Sequence, residues 1–141
     1  MATASLPEGL LREALLSGAN DRSVIRSIRR VGGGDISVAA RVETEEWVYF
    51  AKWQPDAPDH GKSMFHAEAE GLTQLRQVDS GLVIPLVCGQ VTSDQGALLL
   101  LEWLEAGSQS TTVAATLGEG LARQHRHVAE AYGLDHDNFL G

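Results

Sequence analysis

The sequence predicts an α+β fold built around one antiparallel sheet. Stretches with apolar residues at helical spacing are separated by runs rich in β-branched and aromatic residues. The order is helix, three strands, helix, two strands, linker, helix, which is not the regular strand–helix alternation of a parallel sheet. Turn residues punctuate the strands closely enough to make neighbours in sequence neighbours in space. At 141 residues, 43% of them apolar and 21% charged, the chain has the size and composition of one globular domain.

Leu6, Leu10, Leu11, Ala14 and Leu15 recur at helical steps, with Pro7 and Glu8 suited to a first turn and Gly18 to a stop; a helix is expected over 7–16. Three strands follow, over about 24–32, 35–43 and 47–53. Gly32-Gly33-Gly34 separates the first two, and the acidic stretch 43–46 reads as a solvated hairpin turn. QPDAPDHG, residues 54–61, is a loop by its prolines and glycine. Phe65, Glu68, Leu72 and Leu75 then fall at steps of three, four and three, giving a helix over 62–78 with Gly81 past its end. Strands over 83–92 and 97–103 form a hairpin around residues 92–96. Residues 105–110 are a small-residue linker, and a last helix over 112–128 carries Val113, Leu117, Leu121, His125 and Val128 on one stripe. The tail 132–141 reads as a loop.

Charge and cysteine usage exclude several classes. Nineteen acidic against 11 basic residues give a net charge of −8, contrary to the basic patch of a nucleic-acid or anionic-membrane binder. No apolar run approaches the ~20 residues that span a bilayer, and the N-terminus lacks the basic region of a secretory signal; a soluble cytoplasmic protein is expected. Cys88 is alone, so no internal disulfide framework or multi-cysteine zinc site can form. The His125-x-His127 spacing turns the two rings to different sides of a helix, and His60 and His66 lack suitably spaced ligand partners, so no metal site is expected. Cys88 reads as a buried, inert thiol, His125 as a core or interface residue, and Trp47, Trp53 and Trp103 as core.

Two charged residues stand in apolar company. Alternation along the third strand turns Trp47, Tyr49, Ala51 and Trp53 one way and Val48, Phe50 and Lys52 the other, leaving Lys52 as the lone charge on its face. Lysine is scarce here, two against nine arginines, and its ammonium suits phosphate as a point charge. Glu68 is the one charged member of its helix stripe, where an unpaired carboxylate is costly. The two pair if the helix packs on that face of the sheet; a snorkelling lysine and a rim glutamate fit the bare pattern as well. Gly32-Gly33-Gly34 fits a plain hairpin turn, and it equally fits a turn whose backbone N–H groups hold phosphate oxygens.

A glycine-rich turn between strands one and two, a lysine on strand three, a glutamate on the next helix and an apolar fifth strand entering a linker resemble the small lobe of protein-kinase-like phosphotransferases. The blocks VGGGDISVAARVET, VYFAKW, MFHAEAEGLTQL, VIPLVCG, LLLLEWLEAG, LGEGLARQHR and YGLDHDNFLG resemble, in order and spacing over residues 31–141, the fructosamine (ketosamine) kinase family. That resemblance implies a five-stranded antiparallel sheet with one packed helix over residues 1–104, holding ATP, then a hinge linker and the start of a large lobe over 105–141. It implies that Gly33, Gly34 and Asp35 with Ser37 cover the ATP phosphates, that Lys52 contacts them, that Glu68 pairs with Lys52, and that Glu102, Trp103 and Leu104 form the hinge that binds adenine. The loop departs from the protein-kinase G-x-G-x-x-G form, so only its role is carried over.

The resemblance also implies Mg²⁺ bound with ATP and a ketosamine, a sugar–amine adduct, as acceptor. The family's H-G-D-L-W-x-G-N loop and later D-P segment do not occur in the sequence. The expectation is an incomplete enzyme with no catalytic or metal-binding aspartate, and a last helix whose stripe is exposed or used for self-association. The alternatives are a non-catalytic remnant that binds a partner protein and a lobe of an aminoglycoside-phosphotransferase-type small-molecule kinase.

Overall fold

The computed structural model describes residues 5–32, 37–55, 64–137 and 139. Its elements are α1 (Glu8–Ala14) running into a π-helical turn (Leu15–Ala19), β1 (Ile25–Arg30), β2 (Val38–Thr44), β3 (Val48–Gln54), α2 (Met64–Arg76), β4 (Val87–Ser93), β5 (Gly96–Glu102) and α3 (Thr111–Arg126). The five strands form one antiparallel sheet in the order β1-β2-β3-β5-β4. The α+β architecture and the element order agree with the sequence reading.

β5 is buried on both sides, which is why its Ala97–Leu101 stretch reads as a continuous apolar run instead of alternating. Leu98 and Leu100 face one core with Leu10, Leu11, Ala14 and Leu15 of α1 and its π turn, Val42, Tyr49, Ala51 and Trp53. Ala97, Leu99 and Leu101 face the other, against Phe65 and Ala69 of α2. The sheet is therefore covered on both faces, and α1 supplies a layer whose placement the sequence reading did not specify.

Gly18 is not a helix stop. The helical backbone continues through it to Ala19 and turns at Asn20, whose φ of 53° is left-handed. The bare Cα of Gly18 instead lets the π turn lie directly on β4, where an added Cβ would come 2.3 Å from the Gly89 Cα. The fourth strand starts later than its composition suggests. Residues 82–86 lie outside the ladder, and Pro85 has no N–H to donate. The hairpin itself is tight, with Ser93 opposite Gly96 around Asp94-Gln95.

In α2 the stripe holds at Phe65 and Ala69, while Leu75 at the far end is exposed. α3 begins at a Ser110 cap whose Oγ accepts from the Val113 N–H at 3.2 Å. It docks through Gly120, its one buried residue, against Leu82. Arg123 donates to the Ser80 carbonyl at 3.2 Å and Gln124 to the Leu75 carbonyl at 3.0 Å. Val113, Leu117, Leu121 and Val128 are exposed, and so is His125, which is not a core residue.

Candidate functional site

Strand pairing fixes the site. Lys52 lies opposite Ala39 of β2 and Leu99 of β5. The period-two pleat that buries Tyr49, Ala51 and Trp53 against α1 turns Phe50 and Lys52 toward α2. There the Lys52 Nζ donates to Glu68 Oε2 at 2.5 Å. The pair is half-buried, with side chains 23% and 29% exposed, and the ammonium also stands 5.4 Å from the centre of the Phe65 ring. A carboxylate and an aromatic face thus hold the ammonium away from the sheet's apolar surface, with enough exposure for an anion to approach. This is the arrangement expected from the alternation of β3 and the stripe of α2, and the snorkelling alternative is set aside.

The chain leaves the sheet at Glu102, Trp103 and Leu104. Glu102 donates its N–H to the Leu86 carbonyl at 2.8 Å and accepts from the Leu86 N–H through Oε2 at 3.1 Å. Trp103 donates its N–H to the Val48 carbonyl at 3.4 Å. Among the described residues the Leu104 N–H has no hydrogen-bond partner, so of these three backbone donors it is the one not taken up within the protein. Trp103 is half-buried and tilted at 37° to Phe50 with ring centres 6.3 Å apart. Its Nε1 donates to Glu105 Oε1 at 2.9 Å.

Arg41, which the sequence reading did not single out, completes this end of the face. It pairs with Phe50 across β2 and β3, its guanidinium carbon lies 5.4 Å from the centre of the Trp103 ring, and its Nη1 meets Glu43 Oε2 at 2.6 Å. The Arg41 hydrogen bond and charge hold the Glu43 carboxyl below its usual range. The signal lay in β2's own alternation, Ala39, Arg41, Glu43 on one face, but it needs the cross-strand register to be read.

Ser37 stands immediately before β2, next to the register position facing Trp53. Gly33, Gly34 and Asp35 lie outside the described residues, as does His60. Trp53 is buried and donates to the Gln95 carbonyl at 2.9 Å, whereas Trp47 is 63% exposed at the β2–β3 turn and is not core. Cys88 is half-buried rather than buried; burial, and then the Glu102 charge, push its thiol up. His66 lies 3.4 Å from Glu70 and His136 lies 3.0 Å from it, which ties the segment after α3 to α2. Among the described residues, no three His, Cys, Asp or Glu side chains are grouped to hold a metal ion.

A polar node on the opposite face fixes β2 and β3. Asp21, buried just past the π turn, accepts from the Ser23 N–H at 2.8 Å and Oγ at 2.6 Å, Thr44 Oγ1 at 2.8 Å and Tyr49 Oη at 3.0 Å. Burial pushes its carboxyl up, but the hydrogen bonds from Ser23, Thr44 and Tyr49 outweigh this and hold it below the usual carboxylate value. Burial and the Asp21 charge raise the Tyr49 phenol. Tyr49 is three residues from Lys52, so the node anchors the strand that carries the site.

Comparison with known proteins agrees with this fold. The sequence model of the family described as fructosamine kinase matches residues 11–141. A probable ketoamine kinase of Enterococcus faecium is 33% identical over 111 residues, covering 79% of this chain and 37% of its own length. A probable ketoamine kinase of Lactiplantibacillus plantarum is 34% identical over 117 residues, covering 83% and 39%. A crystal structure named "Putative fructosamine-3-kinase" from Haemophilus somnus 129PT superposes with a TM-score of 0.80 at 25% identity, over 95% of this chain and 44% of that one. The chain thus spans about two fifths of the length of these two curated relatives.

Proposed function

The chain belongs to the fructosamine kinase family, and from that premise we propose that it supplies the ATP-holding lobe of a phosphotransferase acting on ketosamines. The observation that carries this reading is the Lys52–Glu68 pair, an ammonium fixed at 2.5 Å by a helix carboxylate on the face that leads to the hinge. In this reading Lys52 contacts the ATP phosphates as a point charge, and Glu68 holds its ammonium in place. Gly33, Gly34, Asp35 and Ser37 cover the phosphates from the β1–β2 turn. Glu102, Trp103 and Leu104 receive the adenine, with the Leu104 N–H as the backbone donor toward it.

Among the described residues no three His, Cys, Asp or Glu side chains are grouped, and no step is assigned through Mg²⁺. Residues 1–104 form the nucleotide-holding part and 105–141 the linker and first helix of the part that follows. No helix of the described residues is long and apolar enough to cross a membrane.

Thermal unfolding tests the assignment. ATP raises the melting temperature of the wild-type chain, and Lys52→Ala removes the rise while leaving the unliganded melting temperature within a few degrees. An equal rise in both proteins would contradict it. A second reading, self-association, is favoured by the exposed stripe Val113, Leu117 and Leu121 on α3. Sedimentation checks it: a dimer that Leu117→Glu returns to monomer supports that surface, and a wild-type monomer at high concentration removes it.

A further inference from the structure

We propose that Arg41 determines nucleotide specificity: with Trp103 and Phe50 it forms a cation–aromatic platform, its two rings inclined at 37°, against which a purine base packs. The inference rests on the reading of the Lys52 face as the nucleotide face. Phe50 is two residues from Lys52 on the same face, so the two positions lie about 7 Å apart along β3. A nucleotide with its phosphates at Lys52 therefore extends its base past Phe50 toward the hinge, where Trp103 stands. Arg41 is the β2 residue opposite Phe50, and its neighbour toward the phosphate end of the face, Ala39, carries only a methyl group.

The platform is built before any ligand arrives. The Arg41 side chain is only 17% exposed, its Nη1 held by Glu43 at 2.6 Å and its guanidinium placed over Trp103 at 5.4 Å. Trp103 is held in turn by Glu105 through its indole N–H and by contact with Phe50. Arg41 is thus fixed by Glu43, and Trp103 by Glu105 and by Phe50 within the platform, which lowers the ordering cost of receiving a further planar group. Glu43 compensates the arginine charge, so the guanidinium offers a face as well as a cation. A purine covers more of such a surface than a pyrimidine, and cation–π attraction adds to the stacking.

Titration calorimetry of the 141-residue chain with ATP and CTP tests this, using wild type, Arg41→Ala and Arg41→Lys, each checked for native circular dichroism. Wild type should prefer ATP. Arg41→Ala should bind ATP about tenfold more weakly and lose most of the preference. Arg41→Lys, which keeps the charge but not the plane, should behave the same way; it also serves if the alanine variant does not fold. Unchanged ATP affinity and preference in the variants would overturn the platform and leave the nucleotide reading intact. A wild type that binds neither nucleotide would overturn both.

Discussion

Asp21 joins three stretches of chain through one carboxylate: its own turn, Thr44 at the end of β2 and Tyr49 in β3. Its folded carboxyl sits below the ordinary value of about 3.9, so the bonds it accepts stabilise the fold fully above that value. That stabilisation is lost as pH falls through the lowered folded value. Asp21→Asn should therefore cost about 2–3 kcal/mol at neutral pH, because the Tyr49 and Thr44 hydroxyls lose a charged acceptor. The variant's stability should also fall less steeply than wild type below about pH 4. Urea unfolding at a series of pH values measures both, and parallel acid limbs would refute the role. No periodicity marks this residue, because its partners lie 2, 23 and 28 positions away and converge only in the fold. Lys52 and Glu68 were legible for the opposite reason: each is the single charge in an apolar repeat, and a repeat fixes a face. Arg41 falls between, since its own strand alternates but its meaning comes from Phe50 on β3 and Trp103 just past β5.

At the scale of elements, strands and helices were legible wherever a period ran uninterrupted, and their ends were not. β4 starts at Val87: the Leu86 carbonyl still accepts from the Glu102 N–H of β5, but the Leu86 N–H goes to the Glu102 carboxylate instead of to backbone. Gly18 looked like a terminator because glycine commonly ends helices, yet its place is set by contact with β4. Gly18→Ala would drive a methyl into the Gly89 backbone at 2.3 Å, where no flexible side chain can yield. We expect a loss of about 1–3 kcal/mol in urea unfolding. Gly118→Ala in α3, where nothing lies within 4 Å of an added Cβ, should be neutral or stabilising by up to about 1 kcal/mol. Equal stability of the two variants would refute the packing assigned to the π turn. The apolar stripe of α3 shows the limit of such patterns: a helix buried by its own chain and one left exposed have the same period.

For the molecule as a whole, the sheet carries α1 on one face and α2 on the other, and Lys52, Phe50 and Arg41, which we propose meet the nucleotide, lie on the α2 side. Lys52, Phe50 and Arg41 share that face through strand register, and Trp103 joins them where β5 ends. In the proposed reading, charge and base recognition are spaced along one strand pair, as an elongated ligand with an anionic end requires. The glycine-rich turn that should cover that anionic end lies outside the described residues, so the phosphate side rests on Lys52. The most direct measurement compares ATP with adenosine by calorimetry on wild type and Lys52→Ala. If Lys52 meets the phosphates, wild type binds ATP at least about tenfold more tightly than adenosine, and the variant binds the two alike. A variant that keeps the full ATP-over-adenosine advantage would contradict the account.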